Sequence, residues 1–248
     1  MQRIKVTVTL SHLVKVTVTL SLVMMGGAVL ADECVVLLHG LARTSMSLNK
    51  MQEALQDEGY RTANIDYPSR DHEIAELASI AVEKGLASCR ANGGAEKIHF
   101  VTHSLGGILV RQYLSTENID ELGRVVMLGP PNQGSVAVDD LDGVPGFDWL
   151  NGPAGRQLGK GEGSVPLALG PADFELGVIA GNRSIDPITS AILDDPDDGR
   201  VSVEDTKVEG MDDFVVVEHS HAFMMRMRRP IELTKNFLRT GQFSVLAE

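Results

Sequence analysis

Residues 97–110, Lys-Ile-His-Phe-Val-Thr-His-Ser-Leu-Gly-Gly-Ile-Leu-Val, constrain the fold more than any other stretch. Ile98, Phe100 and Val101 supply the apolar content of a strand buried in a parallel sheet. Ile108-Leu-Val-Arg-Gln-Tyr-Leu114 beyond it reads as an amphipathic helix. Between the two, His103, Ser104 and Leu105 must turn the chain sharply, with Gly106 and Gly107 following. A serine at such a corner is strained, which makes sense if its hydroxyl must stand exposed and the next backbone N–H must face a reacting oxygen. The spacing approaches G-x-S-x-G, with Thr102 in the first glycine's place and Gly106 in the second's. Alone, the motif is weak, because a glycine-rich strand–helix turn with an incidental serine reads the same way.

The rest of the chain repeats the alternation. Strands are predicted at Cys34–Gly40, Tyr60–Asp66, Arg124–Leu128, Phe174–Ala180 and Phe214–Val217, which with the serine strand makes six. Helices are predicted from a cap at Ser45 or Ser47 to about Glu58, from His72 to about Ser88 and from Ile231 to Arg239. Leu48, Met51 and Leu55 fit helical spacing in the first, and Ile74, Leu77, Ile80, Ala81 and Leu86 in the second. Residues 136–173 are Gly-, Pro- and Asp-rich with weak periodicity and read as a long irregular segment over one face. Residues 181–200 read as a polar loop. This order predicts an α/β fold with a mostly parallel sheet of at least six strands, helices on both faces and no large cap domain. Ligands of such sheets sit at the carboxyl ends of the strands, where His39-Gly40, Ser104, the 129–135 loop, the Asp-rich loop and His221 all fall.

Residues 1–31 differ from the rest: Arg3 and Lys5 precede an uncharged apolar run from Val16 to Leu30, and Ala28-Val-Leu-Ala31 offers small residues for cleavage. This is the pattern of a secretory signal peptide, leaving 32–248 as one catalytic domain, exported to the periplasm or beyond, with no stable membrane insertion after cleavage. A retained anchor is the alternative, although 15 residues are short for a span. The repeated Lys-Val-Thr-Val-Thr-Leu-Ser at 5–11 and 15–21 carries no functional weight. The formal charge is −12, and it becomes −15 without the leader, which holds three of the 22 basic residues and none of the 34 acidic ones. That balance argues against nucleic acid and anionic membrane surfaces as partners. Export also makes Cys34 and Cys89 a disulfide candidate.

A serine hydroxyl needs a general base, and the base needs a group that orients it and stabilises its charged form. His221, just past the last strand, is the candidate base, preferred over His219 because the geometry wants a loop beyond the strand. Asp198 in Asp-Asp-Gly is the candidate orienting carboxylate. The Leu105 and Leu41 N–H groups are the candidate donors to a developing oxyanion.

Leu38-His-Gly-Leu-Ala-Arg43, Val101-Thr-His-Ser-Leu-Gly-Gly107, Gly129-Pro-Pro-Asn-Gln-Gly-Ser135, Asp198-Gly199 and His221, in that order, resemble the α/β-hydrolase superfamily, in the group of bacterial lipases and esterases. The resemblance spans nearly all of the expected mature chain and departs from the family pattern at Thr102. It implies hydrolysis of small-molecule or lipid esters through an acyl-enzyme on Ser104, with no cofactor and no metal. An acyltransferase or amidase with the same triad, or a non-catalytic binding module on the same fold, are the alternatives.

Other features have blander readings. His39 shapes the oxyanion loop, and His103 points elsewhere from its turn. Asp194, Asp195 and Asp197 read as solvated loop charges, and Pro196 breaks the calcium-loop pattern. Ser47-Leu-Asn-Lys50 matches S-x-x-K, but Ser47 reads as a helix cap. Phe223, Met224, Met225 and Met227 read as core or pocket lining. The acids and helix breakers of 136–173 make it a poor lipase lid, with Phe147 and Trp149 as walls of a modest pocket, so short to medium acyl chains are expected.

Overall fold

The computed structural model describes residues 33–91, 93–141, 147–194 and 196–243. The expected leader at 1–31 lies outside the described residues. Six strands form one sheet in the order β2-β1-β3-β4-β5-β6: β1 (Glu33–Leu38), β2 (Arg61–Ile65), β3 (Lys97–His103), β4 (Leu122–Leu128), β5 (Leu176–Gly181) and β6 (Asp213–Val217). Every neighbouring pair is parallel. Their near-continuous Val, Leu and Ile content follows from this, since each central strand is covered on both sides.

Alternate residues of each strand feed two cores. Val36, Leu38, Phe100, Val125 and Val178 pack on one face against α2 (Ile74–Arg90) and α3 (Leu105–Leu114). Val35, Leu37, Val101, Val126 and Ile179 pack on the other against α1 (Asn49–Asp57) and the C-terminal helix, Arg228–Thr240. The predicted stripe of α2 is buried at Ile74, Leu77, Ala81 and Leu86, and Gly85 lets the helix close on Val36, whose methyl would lie 2.5 Å from an added Cβ. The C-terminal helix lays Phe237 over Gly177 of β5 and ends at Gly241, whose φ of 78° only glycine adopts readily.

Residues 136–173 hold more order than their composition suggests. Three short helices lie there: α4 (Val136–Leu141), α5 (Phe147–Arg156), kinked at Gly152-Pro153, and α6 (Val165–Ala168). α4 and α6 are too short to show a stripe in sequence, and the break at Gly152-Pro153 interrupts that of α5. Their order comes from tethers instead: Asp139 accepts from the N–H groups of Lys160 and Gly161, and the Gln157 side chain accepts from Ile74 N–H at 2.8 Å. Arg111 of α3, buried, reaches the carbonyls of Pro166 and Gly170 and both oxygens of Asn132. Burial without a carboxylate partner pushes its guanidinium down to about 10. The polar loop after β5 likewise contains a helical turn, α7 (Pro187–Ser190), before the C-terminal helix, α8. Ser47 is not an N-cap: Thr44 holds that place, and the Ser47 hydroxyl donates to Thr44 O at 2.8 Å.

Cys34 of β1 and Cys89 near the end of α2 are joined in a disulfide, with Cα atoms 5.7 Å apart. The bond fastens α2 to the amino edge of the sheet, opposite the end where Ser104 turns. Closing a 55-residue separation stabilises the fold by about 4 kcal/mol in the chain-entropy model. Reduction should therefore lower the melting temperature markedly in a calorimetric scan. Two titratable thiols in unreduced native protein would contradict the pairing.

Candidate active site

The chain leaves β1 toward β2 on one side and returns to place β3 on the other, so the loops after β1 and β3 diverge and open a crevice between them. Ser104 stands at the carboxyl end of β3, on that side of the sheet, with φ 54° and ψ −123°, one of two non-glycine residues at positive φ among the described residues. Its N–H donates to Leu128 O at 2.9 Å, and its carbonyl accepts from Gly107 N–H at 3.0 Å. Two glycines press the β1 loop against it. A Cβ on Gly40 would lie 3.1 Å from Ser104 Cβ, and one on Gly106 would lie 2.5 Å from Leu38 O. Thr102, the departure from the motif, is accommodated by Gly107: the threonine Oγ1 sits 3.2 Å from where a Gly107 Cβ would be. The clearance is moved to the helix side, and the corner is kept.

Asp198 and His221 are brought together. His221 Nδ1 lies 2.7 Å from Asp198 Oδ2, and both residues are buried. Asp198 Oδ1 accepts from the N–H groups of Arg200 (3.0 Å) and Val201 (2.9 Å), and Asp198 O accepts from His221 N–H at 2.9 Å. With its carboxylate so satisfied, Asp198 fixes Nδ1 as the protonated nitrogen and leaves the lone pair on Nε2. Gly129, at the end of β4 beside Ser104 N–H's partner Leu128, faces this pair. Its φ is 56°, and an added Cβ would lie 3.0 Å from Asp198 Oδ2 and 3.1 Å from His221 Nδ1. His219 makes no such contact with the acid. β6 ends at Val217, and His219 O packs against Gly181.

His103 does not point away from the site. Its Nε2 donates to His221 O at 2.9 Å, and the two rings lie 4.7 Å apart. Nδ1 is buried with no partner. Burial first, then the neighbouring His221 and Arg43, hold this imidazole well below the ordinary 6.5. His39 is structural, as its place in the motif suggests. It stacks on Tyr67 with centroids 4.1 Å apart, Tyr67 Oη donates to its carbonyl, and burial lowers its basicity. Leu105 opens α3, where backbone N–H groups lack intrahelical partners. In the β1 loop Ala42 N–H is taken by Ser69 Oγ at 3.1 Å, and Ala42 itself sits at φ 53°.

Asp197 corrects the reading of solvated loop charges. It is buried, and its oxygens accept from the Ser190 hydroxyl at 2.9 Å and from Gly199 N–H at 2.6 Å. Asp194 is exposed, and Asp195 lies outside the described residues. Both Asp197 and Asp198 are thus occupied by N–H and O–H donors, the partners of an anion left without a cation. Among the described residues no three His, Cys, Asp or Glu side chains gather as a metal site. Met224 and Met225 join the core, whereas Phe223 is 46% exposed. The side chains of Phe147 and Trp149, expected as pocket walls, lie outside the described residues.

A model of the alpha/beta hydrolase family matches residues 35–232. Among solved structures the chain is similar to the lipase BlEst2 of Bacillus licheniformis in its mature form, at 20% identity and a TM-score of 0.65, covering 85% of this chain and 92% of that one. It is also similar to the metagenomic carboxyl esterase MGS0156, at 22% identity and a TM-score of 0.62, over 77% and 65% of the two chains. The phospholipase PlaB of Legionella pneumophila gives 17% identity and a TM-score of 0.61, over 79% and 55%. At these identities the likeness is one of fold. No curated protein sequence matches the chain.

The neutral, buried His103 has a consequence for stability. In the unfolded chain a histidine protonates near 6.5; in the fold this one resists, so below that pH the unfolded state binds more protons. Stability should be full above pH 6.5 and decline below it, by about 1.4 kcal/mol per pH unit for each histidine so held. Urea titrations from pH 7.5 to 5.5 would measure the slope. His103→Gln, which keeps a side-chain N–H donor, should reduce it by about one proton; an unchanged slope would show that His103 titrates normally.

Proposed function

Because the chain belongs to the alpha/beta hydrolase family, we propose that it is a serine hydrolase of carboxylic esters, with Ser104, His221 and Asp198 as its triad. The observation that carries this reading is the short His221–Asp198 bond beside a serine held at positive φ. Ser104 Oγ attacks the ester carbonyl carbon while its proton passes to His221 Nε2. The tetrahedral oxyanion accepts hydrogen bonds from Leu105 and Leu41 N–H, the Ala42 N–H being engaged with Ser69. The imidazolium returns its proton to the departing alkoxide, leaving an acyl-serine. Water, deprotonated by the same imidazole, attacks that carbonyl, and the carboxylic acid leaves as Ser104 regains its proton. Asp198 stabilises the imidazolium at both stages and stays ionised.

Residues 32–248 form one catalytic domain in this reading, exported behind the 1–31 leader. The Cys34–Cys89 disulfide supports a destination in an oxidising compartment. Among the described residues no helix is long and apolar enough to cross a membrane. Short to medium acyl esters are the proposed substrates. The segment that would have to serve as a lid is fastened by Arg111, Asp139 and Gln157, and its helices are short and kinked.

Ser104→Ala should cost on the order of 10⁴–10⁶ in turnover with the melting temperature little changed. His221→Ala and Asp198→Asn should be severely impaired, while His219→Ala keeps most activity; the reverse ranking would move the base. A fluorophosphonate should label Ser104 in wild type, as read by mass spectrometry.

With p-nitrophenyl esters from acetate to palmitate, kcat/KM should rise with chain length and stop before the long chains, each buried methylene contributing about 0.8 kcal/mol until the pocket is full. A maximum at palmitate, or a jump in rate at the substrate's solubility limit, would mean a lid that opens onto lipid.

A further inference from the structure

In a chain with 34 acidic and 22 basic residues, three arginines lie on the loops that carry the candidate active site. Each comes from a loop that carries one of its parts. Arg43 lies two residues past Leu41 in the β1 loop, Arg200 two past Asp198, and Arg226 in the short turn Met224–Arg226 that follows His221. The turn at Ser45–Leu48, next to Arg43, packs on the Met224–Arg226 turn. Arg43 is half-buried, and after burial itself the charges that lower its basicity are Arg226 and Arg200. Its charge also reaches His103, directly before Ser104.

Like charges drawn together cost free energy unless something holds them, and here two of the three lack the usual holders. Among the described residues, four arginines are buried or half-buried: Arg43, Arg61, Arg111 and Arg124. Arg61 donates to the Cys89 and Gly94 carbonyls, Arg111 to those of Asn132, Pro166 and Gly170, and Arg124 to Leu238 O while it pairs with Glu175. The Arg43 side chain has no hydrogen bond or ion pair to a described residue, nor does that of Arg226. Arg200 pairs with Asp186 at 3.1 Å. Arg43 borders a cavity of about 200 Å³ that Asp66, Arg70 and Asp71 also line, but an Asp66 carboxylate oxygen already accepts from Ser45 N–H. A structural role would have given the Arg43 guanidinium a carbonyl or carboxylate, as it did the other three.

The same loops expose apolar side chains. Met46 is 70% exposed, Ile185 64% and Phe223 46%, three of the five large hydrophobic side chains exposed among the described residues. Met46 lies in the turn after Arg43, Phe223 just before Arg226, and Ile185 beside Gly199 and the Asp186 that binds Arg200. Cations and apolar groups mixed on one rim match a molecule with both an anionic group and a hydrocarbon part.

We propose that the ester cleaved at Ser104 carries an anionic group, phosphate or carboxylate, held by Arg43 with Arg226 beside it, while its hydrocarbon part lies against the apolar rim. A guanidinium fork suits either anion, since both offer two oxygens in one plane. This rests on the serine-hydrolase reading and narrows its substrate class. The acidic remainder of the surface repels such a substrate at a distance, so the selectivity is local to the rim.

The test compares kcat/KM within matched pairs below their aggregation limits: 1-octanoylglycerol 3-phosphate against 1-octanoylglycerol, and mono-p-nitrophenyl glutarate against p-nitrophenyl butyrate. The anionic member of at least one pair should be favoured tenfold or more, and which pair shows it identifies the anion. That ratio should fall toward one in Arg43→Gln, be partly kept in Arg43→Lys, be reduced in the exposed Arg226→Gln, and weaken with added salt. Neutral esters cleaved with no anionic preference would overturn this proposal and leave the serine hydrolase standing, as would a preference that survives Arg43→Gln in folded protein. No cleavage of any ester, with no fluorophosphonate label on Ser104, would overturn both.

Discussion

The site depends on one backbone conformation, the left-handed turn at Ser104. An L-residue there costs roughly 1–2 kcal/mol, and it persists because its surroundings leave no alternative. Leu128 O fixes its N–H, Gly107 N–H fixes its carbonyl, and Gly40 and Gly106 allow the β1 loop and α3 to close on it from two sides. Those contacts stand on the most buried part of the molecule, the carboxyl ends of β1, β3 and β4, where Leu38, Thr102 and Leu128 are wholly inaccessible. The strained corner is thus backed by the sheet's own pairing, Leu38 against Thr102 and His103 against Leu128.

Around that corner lies a set of buried polar groups whose partners are nearly all backbone. Asp198 is met by two N–H groups and an imidazole, Asp197 by a hydroxyl and an N–H, and Arg111 mainly by carbonyls. Buried charges of this kind are costly when unpaired and highly directional when satisfied. They define the shape of loops that have little hydrophobic content of their own. His103 belongs to the same set: its bond to His221 O ties the turn bearing the histidine to the strand bearing the serine.

Much of this was legible from sequence. The central strands and the longer helices α1, α2, α3 and α8 follow from apolar runs and stripes, because each is buried in one of the two cores in register with its pattern. Ser104, Asp198 and His221 stood out by their place at strand ends, and the structure joins Asp198 to His221. What failed had no pattern to read. The helices of 136–173 are either too short for a stripe, as α4 and α6 are, or broken by Gly152-Pro153, as α5 is, and owe their order to tethers from Arg111, Asp139 and Gln157, contacts that span up to 83 residues. Asp198 was picked out, but its neighbour Asp197 was read as a solvated charge, because only the fold of the loop brings the Ser190 hydroxyl and Gly199 N–H onto it. The role of His103 needed the third dimension for the same reason, its partner lying 118 residues away.

The spread of these pieces along the chain bears on when the site comes into being. β1, β3, β4 and the loops after β5 and β6 all contribute, and β6, which sets the position of His221, docks on β5 at the sheet's edge. Such long-range pairing is slow to form, and no local segment holds more than a fragment of the constellation. A chain in which β6 has not docked therefore holds Ser104 without His221 in place. The three residues that the proposed chemistry needs are assembled only once β6 has paired with β5, which makes the edge of the sheet, far from the serine in sequence, a condition for the whole set.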